Sequence, residues 1–163
     1  MILSSEMTLR AVSRILKDDM LPRLETASWE ASNIRACLAL LTYAEDCVQL
    51  ERSVLTESNA AMLALFKTLT DGSAAWLSSG HLADVRIAVQ SSVSRGGGRT
   101  ADLLADHERY KALLSELVRC SAAARTTSPG VDAVFRAELH RCLAVLAAKD
   151  AALTQRSRGM LPL

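Results

Sequence analysis

The sequence predicts an all-α protein, an antiparallel helical bundle of five to six helices with a C-terminal helical hairpin. Of the 163 residues, Ala and Leu supply 26 each, and both are strong helix formers. Only 4% of the residues are aromatic, and 7 Gly and 3 Pro are too few for the many turns of a β-sandwich or barrel. Apolar residues also recur at the three- and four-residue steps of an amphipathic helix in nearly every segment.

The first two predicted helices are separated by a proline. Residues 5–21 carry an apolar stripe at helical spacing, and this helix is expected to end at Pro22, which has no amide hydrogen for a helix interior. A second helix is predicted from about Ser28 to near Ser53. It is apolar over a broad face, so we expect it to be the central helix.

A third helix is predicted to begin at Thr56 or Ser58, because either hydroxyl is a suitable N-cap. It continues through Leu69 and stops at residues 71–72, where a glycine follows an aspartate. Beyond a short apolar turn, residues 82–93 predict a fourth helix.

The second half of the chain has a regular helical pattern. Thr100 caps a helix whose predicted seam is formed by Leu103, His107, Tyr110, Leu114, Leu117 and Ser121. The Ser-Pro-Gly sequence at 128–130 favours the end of this helix and the start of the last one, which runs to about Arg156. Two long helices with a short connection predict a hairpin.

The chain is predicted to be a single helical-bundle domain over residues 1–163. The alternative is a subdivision into 1–95 and 100–156 at Gly96 to Gly98, where three consecutive glycines form the most flexible stretch of the sequence.

Charge and cysteine content restrict the classes of partner and the location. The formal net charge is +1, from 19 basic and 18 acidic side chains, so we expect neither a nucleic acid nor a membrane as partner. No segment has the apolar length of a membrane span or the pattern of a signal peptide, which predicts a cytoplasmic protein. The scattered cysteines are expected to be buried, reduced thiols; they are Cys37, Cys47, Cys120 and Cys142.

Motifs for catalysis or metal binding are not found in the sequence. No Glu-x-x-His pair occurs, and Glu138 and His140 are two residues apart, which places them on different sides of a helix. There is no Gly-x-Ser-x-Gly motif, and no cysteine lies beside both a histidine and a helix N-terminus in the sequence. The sequence therefore predicts no metal, no cofactor and no catalytic residue, and catalysis by this chain alone is not expected.

Seven residues are candidates for partner or ligand contact: Trp29, Asn33, Trp76, His107, Arg136, His140 and Arg141. Asn33 is expected on a buried face, where an amide either sets helix register or meets a partner. His107 interrupts an apolar seam; it is either a satisfied, partly buried histidine or a pH switch or ligand contact. The last three form a potential anion site, although an excess of Arg over Lys also arises without function.

The N-terminal region resembles a known family. Residues 11–24 form a helix ending in Leu-Pro-Arg-Leu, and Trp29 and the Ala/Leu-rich residues 36–41 follow. Over about residues 9–50 this pattern is similar to small bacterial helical proteins that accompany aminoglycoside-phosphotransferase-like kinases of hydroxyacyl-CoA catabolism. The resemblance implies a kinase as partner and carries over no catalytic residue.

From these observations we expect a non-catalytic accessory or partner-binding subunit, which the resemblance associates with a phosphotransferase-like kinase of acyl-CoA metabolism. The expected partner is another protein or a second copy of the chain, because several apolar faces without chemistry of their own most simply pack against another surface. The alternative is a helical bundle that binds a small apolar or anionic ligand between its helices.

Far-ultraviolet circular dichroism tests the predicted fold class. We expect a predominantly helical spectrum with no appreciable sheet contribution, because helical periodicity extends over nearly every segment outside the loops. A strong β-sheet signal would contradict the all-α prediction.

Overall fold

A computed structural model of the protein describes residues 5–72, 76–93, 100–124 and 133–158. None of the residues in these ranges belongs to a β-strand, which confirms the all-α prediction. The five α-helices are α1 (Ser5–Arg14), α2 (Trp29–Asp71), α3 (Ser79–Val93), α4 (Thr100–Ala124) and α5 (Ala133–Arg158). Within the described ranges, every helix is too short or too polar to cross a lipid bilayer.

The chain divides into two compact units, Met1–Glu51 and Arg52–Leu163. The first unit holds α1 and the N-terminal half of α2, and the second holds the rest of α2 with α3, α4 and α5. The predicted subdivision at Gly96 to Gly98 falls outside the described residues and stays a prediction.

The helix predicted over residues 5–21 is present, but its type changes along its length, and it is α-helical only to Arg14. Residues Ile15–Met20 form a wider π-helical turn, in which the Leu21 amide donates a hydrogen bond to the Leu16 carbonyl. A tighter 3₁₀ turn follows over Leu21–Arg23. This change of helix type precedes Pro22, whose ring conflicts with the carbonyl four residues earlier and which has no amide hydrogen to donate.

Helix α2 begins and ends at the residues that the sequence indicated. The Ser28 hydroxyl accepts a hydrogen bond from the Ala31 amide at 3.1 Å, which satisfies one of the free amides of the first turn. At the other end, the Gly72 amide donates to the Thr68 carbonyl at 3.1 Å. A Cβ atom at Gly72 would lie 2.9 Å from that carbonyl oxygen, so this turn favours glycine.

Between these ends α2 is continuous for 43 residues, and the prediction of two helices separated near Thr56 or Ser58 was wrong. The Thr56 hydroxyl donates to the Arg52 carbonyl one turn earlier at 2.8 Å, and Ser58 is buried. A serine or threonine can satisfy its hydroxyl within a helix in this way. No glycine or proline lies between residues 29 and 71 to end the helix.

All four helices of the second unit contribute to one hydrophobic core. Phe66 of α2 and Tyr110 of α4 meet edge to face at its centre, with ring centroids 5.9 Å apart and an interplanar angle of 83°. The buried core residues are Met62, Leu65, Phe66, Leu69, Leu77, Val85, Ala88, Tyr110, Leu114, Leu117, Phe135 and Cys142. The predicted seam of α4 is confirmed at Tyr110, Leu114, Leu117 and Ser121, all of which are buried.

Helices α2 and α4 run in the same direction through this core. Asn59 of α2 bonds to Leu103 near the start of α4, and Phe66, two turns later, contacts Tyr110, also two turns later. The two helices are therefore parallel to each other in the bundle.

Helices α3 and α5 run in the opposite direction. His81 at the start of α3 lies beside Cys120 near the end of α4. Lys149, late in α5, pairs with Glu57 of α2, whereas Phe135, early in α5, contacts Trp76 beyond the end of α2. The second unit is thus the predicted antiparallel bundle, and α4 and α5 are its two antiparallel C-terminal helices.

The cysteines do not all behave as the buried thiols that were predicted. Cys142 is buried, and desolvation raises the pKa of its thiol; Cys47 and Cys120 are half-buried. Cys37 is exposed, so its prediction was wrong. In the first unit, the less exposed face of α2 is the one that contains Ala31. Cys37 lies on a different face of the helix.

Substitutions at two adjacent residues of α4 test which face of this helix lies in the core. Leu117 is fully buried and Val118 is 39% exposed. We expect Leu117→Ala to lower the free energy of unfolding by about 2–5 kcal/mol because it leaves a cavity, whereas Val118→Ala should change it by less than about 1 kcal/mol. Urea denaturation of both variants measures this difference, and equal losses would contradict the orientation of α4.

Candidate functional site

The structure does not bring the seven predicted contact residues together. Trp29 and Asn33 lie in the first unit, and the other five lie in the second. Trp29 is 75% exposed, whereas Trp76 is half-buried and packs on Phe135 with ring centroids 5.0 Å apart. The two tryptophans therefore have different roles, since one is on the surface and the other supports the core.

The expectation that Asn33 lies on a buried face was wrong, because its side chain is exposed. The face of α2 that turns inward in the first unit contains buried Ala31 and half-buried Ile34 and Leu38. Asn33 is on the opposite side of the helix, in line with Trp29 and Leu40 at helical spacing. The helical periodicity of the sequence indicated an apolar stripe on α2, but it did not show which face of the helix is covered by the rest of the protein.

The predicted anion site on α5 is already partly neutralised. Arg141 is exposed and pairs with Glu138 one turn earlier, and His140 is exposed as well. Arg136 is half-buried on the same helix. Because an acidic side chain already neutralises Arg141, the three residues do not form a group of unopposed positive charges.

His107 is part of a polar cluster at the edge of the core. The Asn59 amide nitrogen donates to the Leu103 carbonyl at 3.0 Å, and the Asn59 amide oxygen lies 3.0 Å from His107 Nδ1. Since that oxygen can only accept, Nδ1 must carry the hydrogen that forms this bond. His107 is therefore a half-buried histidine whose Nδ1–H is satisfied by an amide on another helix.

The environment of His107 opposes its protonation. Desolvation by burial lowers the pKa of His107, and the positive charge of Lys111 lowers it further. Glu108 and Asp150 act in the other direction, and their effect is smaller than that of burial. The neutral imidazole is thus favoured in the folded protein.

Exposed apolar side chains are concentrated in the first unit. Ala31 is the single described residue of this unit that is buried. The large apolar residues of the unit that are exposed are Met7, Val12, Ile15, Met20, Trp29 and Leu40. A unit that buries so little of its apolar surface has a face available for another molecule.

An open groove of about 530 Å³ also lies in the first unit, between the N-terminal helical segment and α2. The Ser13 hydroxyl donates to a Glu45 carboxylate oxygen across it at 3.1 Å. Its lining contains two basic and two acidic side chains, so neither sign of charge dominates; the lining residues are Ser13, Arg14, Lys17, Asp18, Leu21, Leu38, Ala39, Thr42 and Glu45.

Cys120 pairs with His81, a contact that the sequence does not predict. The Cys120 sulfur lies 3.8 Å from His81 Nδ1 and 4.0 Å from Nε2, although the two residues are 39 positions apart. Ser78, which precedes α3, contacts the same imidazole at 2.7 Å. Only the antiparallel packing of α3 on α4 creates this cluster, and no spacing in the sequence could have indicated it.

Metal binding and known relatives give no further indication of function. No group of three or more His, Cys, Asp or Glu side chains that could hold a metal ion occurs among the described residues. No family model matches the chain, and no curated protein or solved structure matches it significantly.

The lowered pKa of His107 predicts a loss of stability in mild acid. Because the unfolded chain binds a proton at about pH 6.5 and the folded protein only at lower pH, the free energy of unfolding should fall as the pH drops below about 6.5. Replacing His107 by Gln should reduce this decline between about pH 7.5 and about pH 5.5, as measured by urea denaturation at each pH.

Exposed His140 is the matched control for this experiment, and His140→Gln should leave the decline unchanged. The pKa of Glu57 is lowered by its bond to Lys149, so that carboxylate adds a loss only in the more acidic range below about pH 4.5. An unchanged pH dependence in the His107 variant would contradict the assignment.

Proposed function

We propose that this chain is a cytoplasmic, non-catalytic accessory subunit that binds another protein through its first unit. The observation that carries the proposal is the exposure of Trp29 (75%) and Leu40 (68%) in a unit where, of the described residues, only Ala31 is buried. The second unit, by contrast, buries residues from four helices in its own core. Apolar surface left open on one part of a protein is typical of an interaction site.

The contact surface that we propose is a stripe on α2, formed by Trp29, Asn33, Ala36 and Leu40. These residues follow one another at steps of four, three and four, which places them on one helix face. All four are exposed. We call this face the α2 stripe.

The composition of the α2 stripe favours an apolar helical partner surface. Arg35 is the single charged residue between positions 31 and 44, so few charges would have to be desolvated on binding. Small Ala36 allows close approach of another helix, and large Trp29 supplies an anchor of the type that dominates binding energy. Asn33 in such a seam would select one register of the two helices.

Two partners are consistent with this surface. One is a second copy of the chain, since an apolar stripe can pack against itself in a twofold dimer. The other is a phosphotransferase-like kinase of acyl-CoA metabolism, as implied by the resemblance of residues 9–50. In both cases the chain contributes binding and no reaction step.

The groove in the first unit favours a second candidate function, the binding of a small amphipathic molecule. Its volume of about 530 Å³ is in the range of ligand sites, and its lining combines Leu21 and Leu38 with charged Lys17 and Glu45. Because the groove is open to solvent and its lining carries both signs of charge, we rank ligand binding below protein binding as the proposed function.

Sedimentation velocity of the purified chain, alone and mixed with a phosphotransferase-like kinase, tests the proposal. We expect a dimer or a stable complex at tens of micromolar, and we expect Leu40→Glu to weaken it by at least about tenfold, because a buried, unpaired carboxylate opposes association.

The matched control is Val134→Glu on α5, where the side chain is 72% exposed in the second unit. This variant should associate like the unmodified chain. A monomer that also fails to bind the kinase would contradict the proposal and favour the ligand-binding alternative, and equal effects of the two variants would remove the α2 stripe as the contact.

A further inference from the structure

The Cys120 thiol has the two neighbours that an activated nucleophile requires. His81 lies against it, with Nδ1 at 3.8 Å and Nε2 at 4.0 Å from the sulfur. Ser78 in turn contacts the His81 ring at 2.7 Å. Cysteine and serine nucleophile sites have the same arrangement: a nucleophile, a base beside it and a third group that orients the base. The distances between these groups are often longer before a reagent binds.

Ser78 makes two contacts with His81, one to its backbone amide and one to its imidazole. Its hydroxyl oxygen accepts a hydrogen bond from the His81 backbone amide at 3.3 Å, which caps the start of α3, and it lies 2.7 Å from Nδ1 of the same residue. In the tautomer whose Nδ1–H donates to Ser78, Nε2 has a free lone pair, and this nitrogen lies 4.0 Å from the sulfur. That nitrogen can then accept the thiol proton.

Cys120 lies at the edge of the hydrophobic core of the second unit. It is half-buried on α4 and packs against the core of the second unit, which holds its helix in place. His81 is also half-buried, at the first turn of α3.

We propose that Cys120 is a site of reversible S-thiolation by low-molecular-weight disulfides, with His81 as the proton acceptor and Ser78 as the positioning residue for His81. The assignment does not depend on the partner-binding proposal, because the three residues lie in the second unit and the α2 stripe lies in the first.

The reaction is a thiol–disulfide exchange. His81 Nε2 takes the proton from Cys120, and the thiolate attacks one sulfur of the disulfide. The S–S bond of the reagent breaks as the mixed disulfide with Cys120 forms, so the Cys120 sulfur is oxidised and the departing sulfur is reduced. The leaving thiolate carries away the electron pair and takes the proton from His81.

The other cysteines provide internal comparisons. Cys37 is more exposed than Cys120, but it lies in the first unit, whereas all three histidines lie in the second. Cys142 is buried, and desolvation raises the pKa of its thiol. If solvent access alone controlled the rate, Cys37 would react first; if the His81 pair controls it, Cys120 would.

The test is the reaction of the folded, full-length chain with oxidised glutathione, followed by peptide mass spectrometry that gives a rate for each cysteine. We expect Cys120 to react faster than Cys37, and we expect His81→Gln to slow Cys120 by at least about tenfold without changing Cys37. His140→Gln, at an exposed histidine of α5, is the matched control and should leave both rates unchanged.

Ser78 is tested by loss and rescue. Ser78→Ala should slow Cys120, and Ser78→Thr, which keeps the hydroxyl, should restore most of the rate. Circular dichroism and thermal melting establish that each variant is folded before its rates are compared.

Two results would overturn the proposal. A higher rate at Cys37 than at Cys120 in the unmodified chain would show that exposure controls reactivity, and this comparison needs no variant. An unchanged Cys120 rate in folded His81→Gln would show that the imidazole takes no part.

Discussion

The edge-to-face contact of Phe66 with Tyr110 is the interaction on which the second unit depends. Both rings are buried, and they join α2 to α4 at the centre of the core. Leu117 is buried two turns further along the same face of α4, so this helix can present only one orientation to its neighbours. An error in that orientation would expose the whole apolar seam.

The polar groups near the core follow from this orientation of α4. His107, one turn before Tyr110, reaches the Asn59 amide, and Cys120, one turn after Leu117, reaches His81 on α3. Buried side-chain nitrogen and oxygen atoms of the described residues all have hydrogen-bond partners. The apolar contacts thus determine where the polar pairs form, and those pairs bring both the pH response and the proposed thiol chemistry into the bundle.

The first unit is organised differently, because Ala31 is the single buried residue among those that the structure describes there. Its exposed apolar residues include Trp29 and Leu40, and its groove is crossed by the bond from Ser13 to Glu45. A small unit of this kind gains stability when a partner covers its open face, since the apolar area buried on binding adds to the little that it buries alone. This physical need is the reason for proposing a binding role.

Features that depend on neighbouring residues could be predicted from the amino-acid sequence alone. These are the all-helical class, a helix start near Ser28, a helix end at Gly72, and the buried face of α4, whose spacing predicted Tyr110, Leu114 and Leu117. Each follows from helix propensity, capping or periodicity, which act within one or two turns.

The three-dimensional packing was needed to show which apolar face is covered and which distant side chains meet. It showed α2 to be unbroken at Thr56, placed Asn33 on the surface, and brought Cys120 to His81 across 39 positions. These outcomes depend on helices that lie far apart in the chain. A periodic pattern states that a helix has an apolar side, but the partner that covers that side is selected by packing of the whole unit.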